Sequence, residues 1–300
     1  MRLIGTMIGA AVPAERHEPE RFCGMTNAEI LAARSLTEVA CAALLGEAAS
    51  TPSHLFVFQT LVGLLLSNGP GTISAQGAKG AVAADGPETP ERVQLNKSVV
   101  GFLSHSGFAH GGNGYEGIAF LVDQFRDTGL TDPGDPKHGV DLQALATRYV
   151  ADYASYKSGK KSAGSLDIQK IPGVNHPVFK DKPVNHDPRE VWVRDLFAQR
   201  SEYNAFHEYY HALVEALYKA GVSRNVYCVN IDAVISALLL KILWRPYCSG
   251  GLSGGALETA AFTIFLYARM LGCTAEIDDH LNRGRNMDTR TPASQCRFVA

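Results

Sequence analysis

Residues 229–243 have the sequence VNIDAVISALLLKIL, and this stretch decides the fold class. After a polar start, its apolar side chains recur at three- and four-residue spacing. They are Ile231, Val234, Ile235, Leu238, Leu239 and Ile242. This spacing predicts a strongly apolar helix over 231–243, of the kind that forms the core of a protein.

Helical patterns continue through most of the chain. Further helices are predicted over 26–50, 52–66, 142–156, 190–199, 203–220 and 256–272. Three segments differ: a loop rich in Gly and His over 104–114, a Lys-rich linker over 157–162 and a Gly-rich turn over 249–255. Because no strand pattern of convincing length and no internal repeat is visible, the sequence predicts an all-α fold.

The composition limits the possible partners. Of the 300 residues, 46% are hydrophobic and 19% are charged, which is ordinary for a soluble globular protein. A net charge of −2 favours neither nucleic acid nor a membrane surface as the main partner. The six cysteines form no CxxC pair, so neither a metal site nor a disulfide framework is indicated. A reducing, cytoplasmic location is therefore expected.

Three short motifs follow one another along the chain. They are AHGGN at 109–113, IPGVNHPVFK at 171–180 followed by DPR at 187–189, and VNID at 229–232. In content and order they resemble the citrate synthase superfamily, which has an HGG loop, a PGxGHxV segment followed by DPR, and NVD before a helix. The resemblance covers about residues 100–275, with a vaguer match from 26 to 100.

The resemblance implies a citrate synthase-like, all-α fold with two domains. The large helical domain would comprise residues 1–112 with 245–300, and the smaller domain, 113–244, would carry the loop that binds coenzyme A. Such enzymes make or break a carbon–carbon bond between an acetyl-CoA enolate and an α-keto acid such as oxaloacetate. The thioester is the substrate, so no separate cofactor and no metal is expected.

The chemistry of this family explains the residues in the motifs. A thioester methyl group is a very weak carbon acid, so its deprotonation needs a base on one side and a hydrogen-bond donor at the carbonyl oxygen. By resemblance, Asp232 is the base and His110 is the donor that stabilises the enolate. His176 would polarise the ketone carbonyl of the keto acid.

The resemblance also assigns binding residues. Arginines that clamp carboxylates match Arg189 and Arg269, and Arg290 is the candidate for the arginine that the family contributes near its C-terminus. Asn68 replaces the usual keto-acid-binding histidine and can donate a hydrogen bond but carries no charge. The residues matched to coenzyme A binding are Pro172, Gly173, Val174, Asn175 and Asn230, where Asn175 replaces the usual glycine before His176.

The layout favours one branch of the superfamily. Only 109 residues precede His110, and this compactness is similar to that of citryl-CoA lyases and of the C-terminal module of ATP-citrate lyase. The segment from Asn68 to Ala75 also looks like a His-Gly-Pro-Ala-Val-Ser stretch of those lyases. Cleavage of citryl-CoA is therefore favoured over citrate synthesis in the tricarboxylic acid cycle. A homodimer or higher homo-oligomer, with or without a separate ligase subunit, is expected.

Two alternatives come from other classes. His207-Glu208-Tyr209-Tyr210-His211 matches HExxH on a helix, where two imidazoles share a face and bind zinc while Glu208 acts as base. Glu215, one further turn along, is not where zinc hydrolases of this pattern take their third ligand, and no HxxGxxH extension follows. The second alternative is an inactive regulatory paralogue, which the substitution at Asn68 permits.

Overall fold

The computed structural model describes residues 21–46, 51–67, 71–83, 95–107, 110–111, 114–165, 167–175, 187–222 and 228–279. Within them the chain forms eleven α-helices and one hairpin of two-residue strands, which confirms the all-α prediction. The strands are β1 (Arg21–Phe22) and β2 (Met25–Thr26). The helices are α1 (Asn27–Ala33), α2 (Leu36–Leu45), α3 (Pro52–Leu65), α4 (Ile73–Ala83), α5 (Leu95–Ser104), α6 (Gly114–Phe125), α7 (Leu142–Ser162), α8 (Pro188–Arg200), α9 (Ala205–Lys219), α10 (Ile231–Cys248) and α11 (Gly254–Asp279).

The single helix predicted over 26–50 is wrong in one respect, because two helices occupy this region. Arg34 is extended at the end of α1, and Ser35 begins α2 as its N-cap. The Ser35 hydroxyl accepts from the backbone N–H of Glu38, while the Glu38 carboxylate accepts from the backbone N–H of Ser35. This reciprocal capping box starts a new helix where a continuous one had been expected.

The Lys-rich linker predicted over 157–162 is also wrong, because α7 continues to Ser162. Lysine is a good helix former, and Lys160 and Lys161 lie in the last turn, where positive charge is favourable at the carbonyl end of a helix. Lys157 is anchored as well, since its ammonium donates to the carbonyl of Val222 at 2.9 Å.

The described residues divide into two compact units. Unit 1 comprises those of Met1–Phe58 and Gly114–Ala260, and unit 2 comprises those of Gln59–Asn113 and Ala261–Ala300. The division falls within α3 and within α11. The large and small domains implied by the resemblance stay a prediction.

Helix α10 forms the centre of unit 1, as its apolar sequence predicted. From Ile231 to Trp244 every residue except Asp232 is buried. The indole N–H of Trp244 donates to the carbonyl of Leu130 at 2.8 Å, so even this polar group is satisfied. Lys241, the one cation in the stretch, is buried and forms an ion pair with Glu202, as a buried charge requires.

Unit 2 is built on a close contact between α4 and α5. A Cβ atom added at Gly77 would lie 2.5 Å from the carbonyl oxygen of Gly101, and one added at Gly101 would lie 2.3 Å from that of Gly77. Only glycine therefore fits at both positions, and the two backbones approach as the Ala- and Gly-rich composition allows. This contact fixes α4, whose first turn carries Ser74.

Among the described residues, one helical segment, Gly254–Ala275 of α11, is long and apolar enough to cross a membrane, with a mean hydropathy of 1.2. Within the protein 56% of this segment is buried, as is common for a core helix. A single segment of this kind is weak evidence for a membrane span.

Candidate active site

His110 of the AHGGN motif is half-buried in unit 2 and is held through its Nε2 atom. The backbone N–H of Ser74 donates to Nε2 at 3.3 Å, and the Ser74 hydroxyl lies 2.9 Å from the same atom. Because a backbone N–H is only a donor, Nε2 must accept. The neutral imidazole therefore carries its proton on Nδ1, which makes Nδ1–H the group available to donate.

Arg269 reaches the same serine from α11. Its Nη1 donates to the Ser74 hydroxyl at 3.1 Å, and its Nε donates to the carbonyl of Leu65 at 2.9 Å. The side chain is buried, and its guanidinium lies 5.1 Å from the centre of the Phe265 ring. Arg269, Ser74 and His110 thus form one connected chain. The carboxylate-clamp role of Arg269 stays a prediction.

The surroundings of His110 favour the neutral imidazole. Burial lowers the pKa of His110, and the positive charge of Arg269 lowers it further. The rings of His110 and Phe265 are perpendicular to each other, with centres 5.4 Å apart. Gly111 follows with φ 107°, and a Cβ there would lie 2.5 Å from the Phe265 ring. The glycine after His110 is therefore required by both its conformation and its close packing.

The VNID motif begins α10 in unit 1, and Asn230 is its N-cap. The side-chain oxygen of Asn230 accepts from the backbone N–H of Asp232 at 2.9 Å and of Ala233 at 3.2 Å. Aspartate is also a favoured capping residue, but Asp232 lies inside the helix, two residues after the cap. Since Asn230 satisfies the first N–H groups, the carboxylate of Asp232 is not used for capping.

The second motif lies directly against the third. The backbone N–H of Asn230 donates to the carbonyl of Gly173 at 3.0 Å, and the N–H of Asn175 donates to the carbonyl of Cys228 at 2.9 Å. The Asn230 amide also donates to the carbonyl of Asn175 at 2.7 Å. Three hydrogen bonds therefore fix the predicted coenzyme A loop to the segment that leads into Asp232.

Two residues of this loop have left-handed backbone conformations. Gly173 has φ 77°, and a Cβ there would lie 2.6 Å from Cβ of Ala233 and 2.9 Å from the Tyr210 ring. Asn175 has φ 68°. Asparagine is among the few residues besides glycine that adopt this region readily, so the substitution of Asn175 for the family glycine preserves the turn.

Arg189 of the DPR motif is held by its own neighbour. Its Nε and Nη2 donate to the two carboxylate oxygens of Asp187 at 3.1 and 3.0 Å. Asp187 is fully buried, caps α8 by accepting from the backbone N–H of Arg189, and accepts from the N–H of Ile231 at 3.1 Å. Asp187 therefore joins the beginnings of α8 and α10, which carry Arg189 and Asp232 respectively.

The carboxyl of Asp232 has a perturbed proton affinity. Burial raises its pKa above the ordinary value for aspartate. The nearby carboxylates of Asp187 and Glu116 raise it further, and the guanidinium of Arg189 partly offsets the rise. The fully buried Tyr210 lies close by, and its hydroxyl has no hydrogen-bond partner among the described residues. A carboxyl in such surroundings is suited to exchanging protons.

The HExxH residues have a different arrangement from the one the motif suggests. His207 and His211 converge on Glu190 of α8, and one ligand atom from each lies within 4.8 Å of the others. Glu208 is exposed, and Glu215 is exposed and paired with Lys219. The cluster that could hold a metal ion thus takes its carboxylate from another helix.

Unit 1 also contains a cavity of about 1020 Å³ that Pro172 helps to line. Five tyrosines line its wall: Tyr115, Tyr149, Tyr153, Tyr156 and Tyr247. Five carboxylates and two cations line it, namely Glu116, Asp123, Asp152, Asp167 and Glu258 with Arg126 and Lys170. The tyrosines suit a flat ring, whereas the excess of negative charge does not favour phosphate groups.

Of the site residues inferred from sequence, His110 and Arg269 lie together in unit 2. Asp232, Arg189, Asn230 and the loop 172–175 lie together in unit 1. Asn68, His176 and Arg290 lie outside the described residues. Sequence reasoning missed the contacts of Ser74, Asp187 and Tyr210. Asp187 belongs to the DPR motif, and Ser74 belongs to the segment from Asn68 to Ala75. Only the fold shows which groups these two side chains contact.

The fold is shared with solved structures of two kinds of lyase. Citryl-CoA lyase from Hydrogenobacter thermophilus is 18% identical over 90% of this chain and 84% of its own, with a TM-score of 0.61. ATP citrate lyase from Methanothrix soehngenii, in complex with citrate and coenzyme A, is 16% identical over 98% of this chain and 42% of its own, with a TM-score of 0.61. A mutant ATP citrate lyase from Methanosaeta concilii, in complex with (3S)-citryl-CoA, is 16% identical with a TM-score of 0.58 and the same coverage.

These comparisons confirm the citrate synthase-like fold that the three motifs implied. At 16–18% identity the likeness concerns the fold. The chain spans 42% of the length of the ATP citrate lyases that it matches. No family model and no curated protein matches the sequence.

Proposed function

We propose that the chain cleaves citryl-CoA into acetyl-CoA and oxaloacetate, or catalyses the reverse condensation. The observation that carries this proposal is Asp232. Its carboxyl has a raised pKa, lies at the start of α10 beside the predicted coenzyme A loop, and is left out of helix capping by Asn230. A carboxyl in such a position is suited to exchanging a proton with the methyl carbon of the thioester.

In the direction of cleavage, a base removes the proton of the tertiary hydroxyl of citryl-CoA. We assign this step to His176, because the resemblance places His176 at the same oxygen, where it would polarise the ketone carbonyl of the keto acid. The carbon–carbon bond then breaks, its electron pair forms the thioester enolate, and the hydroxyl carbon becomes the ketone of oxaloacetate. Protonated Asp232 returns a proton to the enolate carbon and leaves acetyl-CoA. In condensation the same proton moves the other way, from the methyl group to Asp232.

His110 would stabilise the enolate oxygen. Its Nε2 accepts from Ser74, so Nδ1–H is the donor, and its lowered pKa keeps the ring neutral. A neutral imidazole stabilises a developing oxyanion by donating a hydrogen bond and keeps its own proton. Arg189, Arg269, Arg290 and Asn68 would bind carboxylates, and residues 172–175 with Asn230 would bind coenzyme A. A homo-oligomer and a separate ligase subunit belong to the same proposal.

The test is an assay of the purified chain with citryl-CoA that follows the release of oxaloacetate. The wild-type protein is compared with Asp232→Asn and with Asp195→Asn, which changes an exposed aspartate of α8. Turnover is expected in the wild type and in Asp195→Asn, and a loss of about 100-fold or more is expected in Asp232→Asn, with binding of coenzyme A retained. Full turnover by Asp232→Asn would show that the assigned base is wrong.

The same assay separates the alternative functions. If the wild type neither cleaves citryl-CoA nor condenses acetyl-CoA with oxaloacetate, the proposed function is wrong and an inactive paralogue is favoured. Repeating the assay with a zinc chelator shows whether the chemistry itself needs a metal. Cleavage that persists with the chelator supports a mechanism in which Asp232 and His110 act without a metal ion.

A further inference from the structure

The side chains of Glu190, His207 and His211 converge on one point between α8 and α9 in unit 1. His207 and His211 are four residues apart on α9 and therefore lie on the same face of the helix. Their Nε2 atoms are 3.2 and 2.9 Å from Oε1 of Glu190, which lies in the first turn of α8. The two imidazole rings pack edge to face, with centres 4.9 Å apart.

The facing atoms of these three side chains are buried without hydrogen-bond partners among the described residues. The exposed fractions of the Glu190 and His207 side chains are 3% and 4%. Despite the short distances, the three facing atoms (Oε1 of Glu190 and Nε2 of each histidine) have no hydrogen bond of acceptable geometry to any described residue. Buried polar atoms without partners are costly, so such a group in a native fold calls for a ligand.

The ligand set specifies the class of ion. Two imidazoles and one carboxylate suit zinc and similar divalent transition metals, whereas calcium and magnesium prefer oxygen ligands alone. In a tetrahedral site with bonds of about 2.0–2.2 Å, ligand atoms lie about 3.3–3.5 Å apart. The observed contacts of 3.2 and 2.9 Å are close to this spacing, so small side-chain movements would admit an ion.

We propose that Glu190, His207 and His211 form a binding site for a divalent transition-metal ion of the zinc class. The side chain of His211 is 30% exposed, so the site lies near the protein surface, and a water molecule would be the fourth ligand. The ion would tie the first turn of α8 to α9. Because Glu190 follows Arg189 in the sequence, the ion would also fix the turn from which Arg189 extends.

This site differs from the zinc hydrolase that the HExxH motif suggests. Its carboxylate ligand comes from α8, and the glutamate of the motif, Glu208, is exposed and outside the cluster. The pattern finds both histidines but not the third ligand. The proposal concerns binding of the ion and does not depend on the proposed lyase activity.

The test measures binding of metal directly. The full chain is treated with a chelator, freed of it, and titrated with Zn²⁺ by calorimetry and with Co²⁺ by visible absorption. One ion per chain is expected to bind, with a Co²⁺ spectrum typical of four ligands. His211→Gln and Glu190→Gln are each expected to weaken binding at least about 100-fold, because loss of a ligand exceeds the 10- to 100-fold effect of losing its supporting contacts.

Two matched variants serve as controls. Glu208→Gln removes the exposed glutamate of the motif, and His105→Gln removes an exposed histidine at the end of α5. Both are expected to bind the ion with wild-type affinity. Failure of the wild type to bind, or unchanged affinity in His211→Gln, would overturn the proposal. So would loss of binding in Glu208→Gln with retention in Glu190→Gln. Circular dichroism checks folding, and if Glu190→Gln does not fold, the partly exposed His211 decides the outcome.

Discussion

The hydroxyl of Ser74 lies 2.9 Å from Nε2 of His110, and the two residues are 36 positions apart in the chain. The same hydroxyl accepts from Nη1 of Arg269 at 3.1 Å, so its own proton is free to point at the imidazole. Both donors of Ser74, the backbone N–H and the hydroxyl, are thereby directed at Nε2. Ser74 is a positioning residue that sets the tautomer of His110.

We expect Ser74→Ala to lower kcat for citryl-CoA about 10- to 100-fold with little change in KM. Removing the hydroxyl removes a donor that favours the neutral ring, so the pKa of His110 should rise. The acidic limb of the kcat/KM profile should then move to higher pH, because the ring must be neutral to act. Ser155→Ala, at an exposed position on α7, is the control. An unchanged kcat and an unmoved limb would exclude this role.

Asp232→Asn should stabilise the protein while it abolishes turnover. The pKa of Asp232 is raised in the folded state by burial. The folded state therefore holds the proton more tightly than the unfolded one, and stability falls as pH rises from the unfolded pKa through the folded pKa. Asparagine does not ionise, so Asp232→Asn does not lose stability in this way as the pH rises. Its free energy of unfolding should therefore exceed that of the wild type at pH 7.

The stability comparison needs two pH values. Denaturant titrations at pH 7 and at about pH 4, close to the unfolded pKa of aspartate, should show a larger gain for Asp232→Asn at the higher value. Asp195→Asn should show no comparable gain at either pH. A variant less stable than the wild type at pH 7 would mean that Asp232 makes favourable contacts as an anion.

A fully buried helix has apolar residues at nearly every position, and this composition is visible in the sequence. The centre of unit 1 could be predicted for this reason. The apolar side chains of 231–243 need no knowledge of their neighbours to be placed in a core. The motifs likewise located the loop 172–175 and the start of α10. Their contact through Asn230 agrees with the resemblance from which both were inferred.

Other features depend on contacts that no local pattern contains. Asn230 and Asp232 both favour helix caps, so the sequence could not tell which one caps α10. The contact of Ser74 with His110 requires α4 and α5 to pack as they do, and the convergence of Glu190 on His207 joins two helices. A periodic pattern shows which residues share a face of one helix, but it does not show which residues of two different helices are in contact.

A matched pair of substitutions tests the left-handed residue of the coenzyme A loop. Asn175 has φ 68°, which alanine adopts at a cost of about 1–2 kcal/mol and glycine adopts freely. Asn175→Ala should therefore lower the free energy of unfolding by about 1 kcal/mol and weaken binding of coenzyme A, whereas Asn175→Gly should change both much less. Calorimetry and denaturant titration measure the two quantities. Equal effects of Ala and Gly would show that the side chain matters rather than the backbone.

Two adjacent tyrosines of α9 provide the last test. Tyr209 and Tyr210 are both fully buried, but only the Tyr209 hydroxyl has a partner among the described residues, the side-chain oxygen of Gln124 at 3.3 Å. Removing an unpaired buried hydroxyl removes a desolvation cost, while removing a paired one loses a hydrogen bond. Tyr210→Phe should therefore raise the free energy of unfolding by about 1 kcal/mol, and Tyr209→Phe should lower it by a similar amount.

Denaturant titrations of the two variants beside the wild type measure this difference, and each variant serves as the control for the other. Because the rings stay in place, their packing is the same and only the hydroxyl differs. If Tyr210→Phe loses stability as Tyr209→Phe does, the Tyr210 hydroxyl has a partner within the protein. If Tyr210→Phe gains stability but loses citryl-CoA cleavage, the hydroxyl acts in the reaction, which fits the position of Tyr210 against Gly173 of the predicted coenzyme A loop.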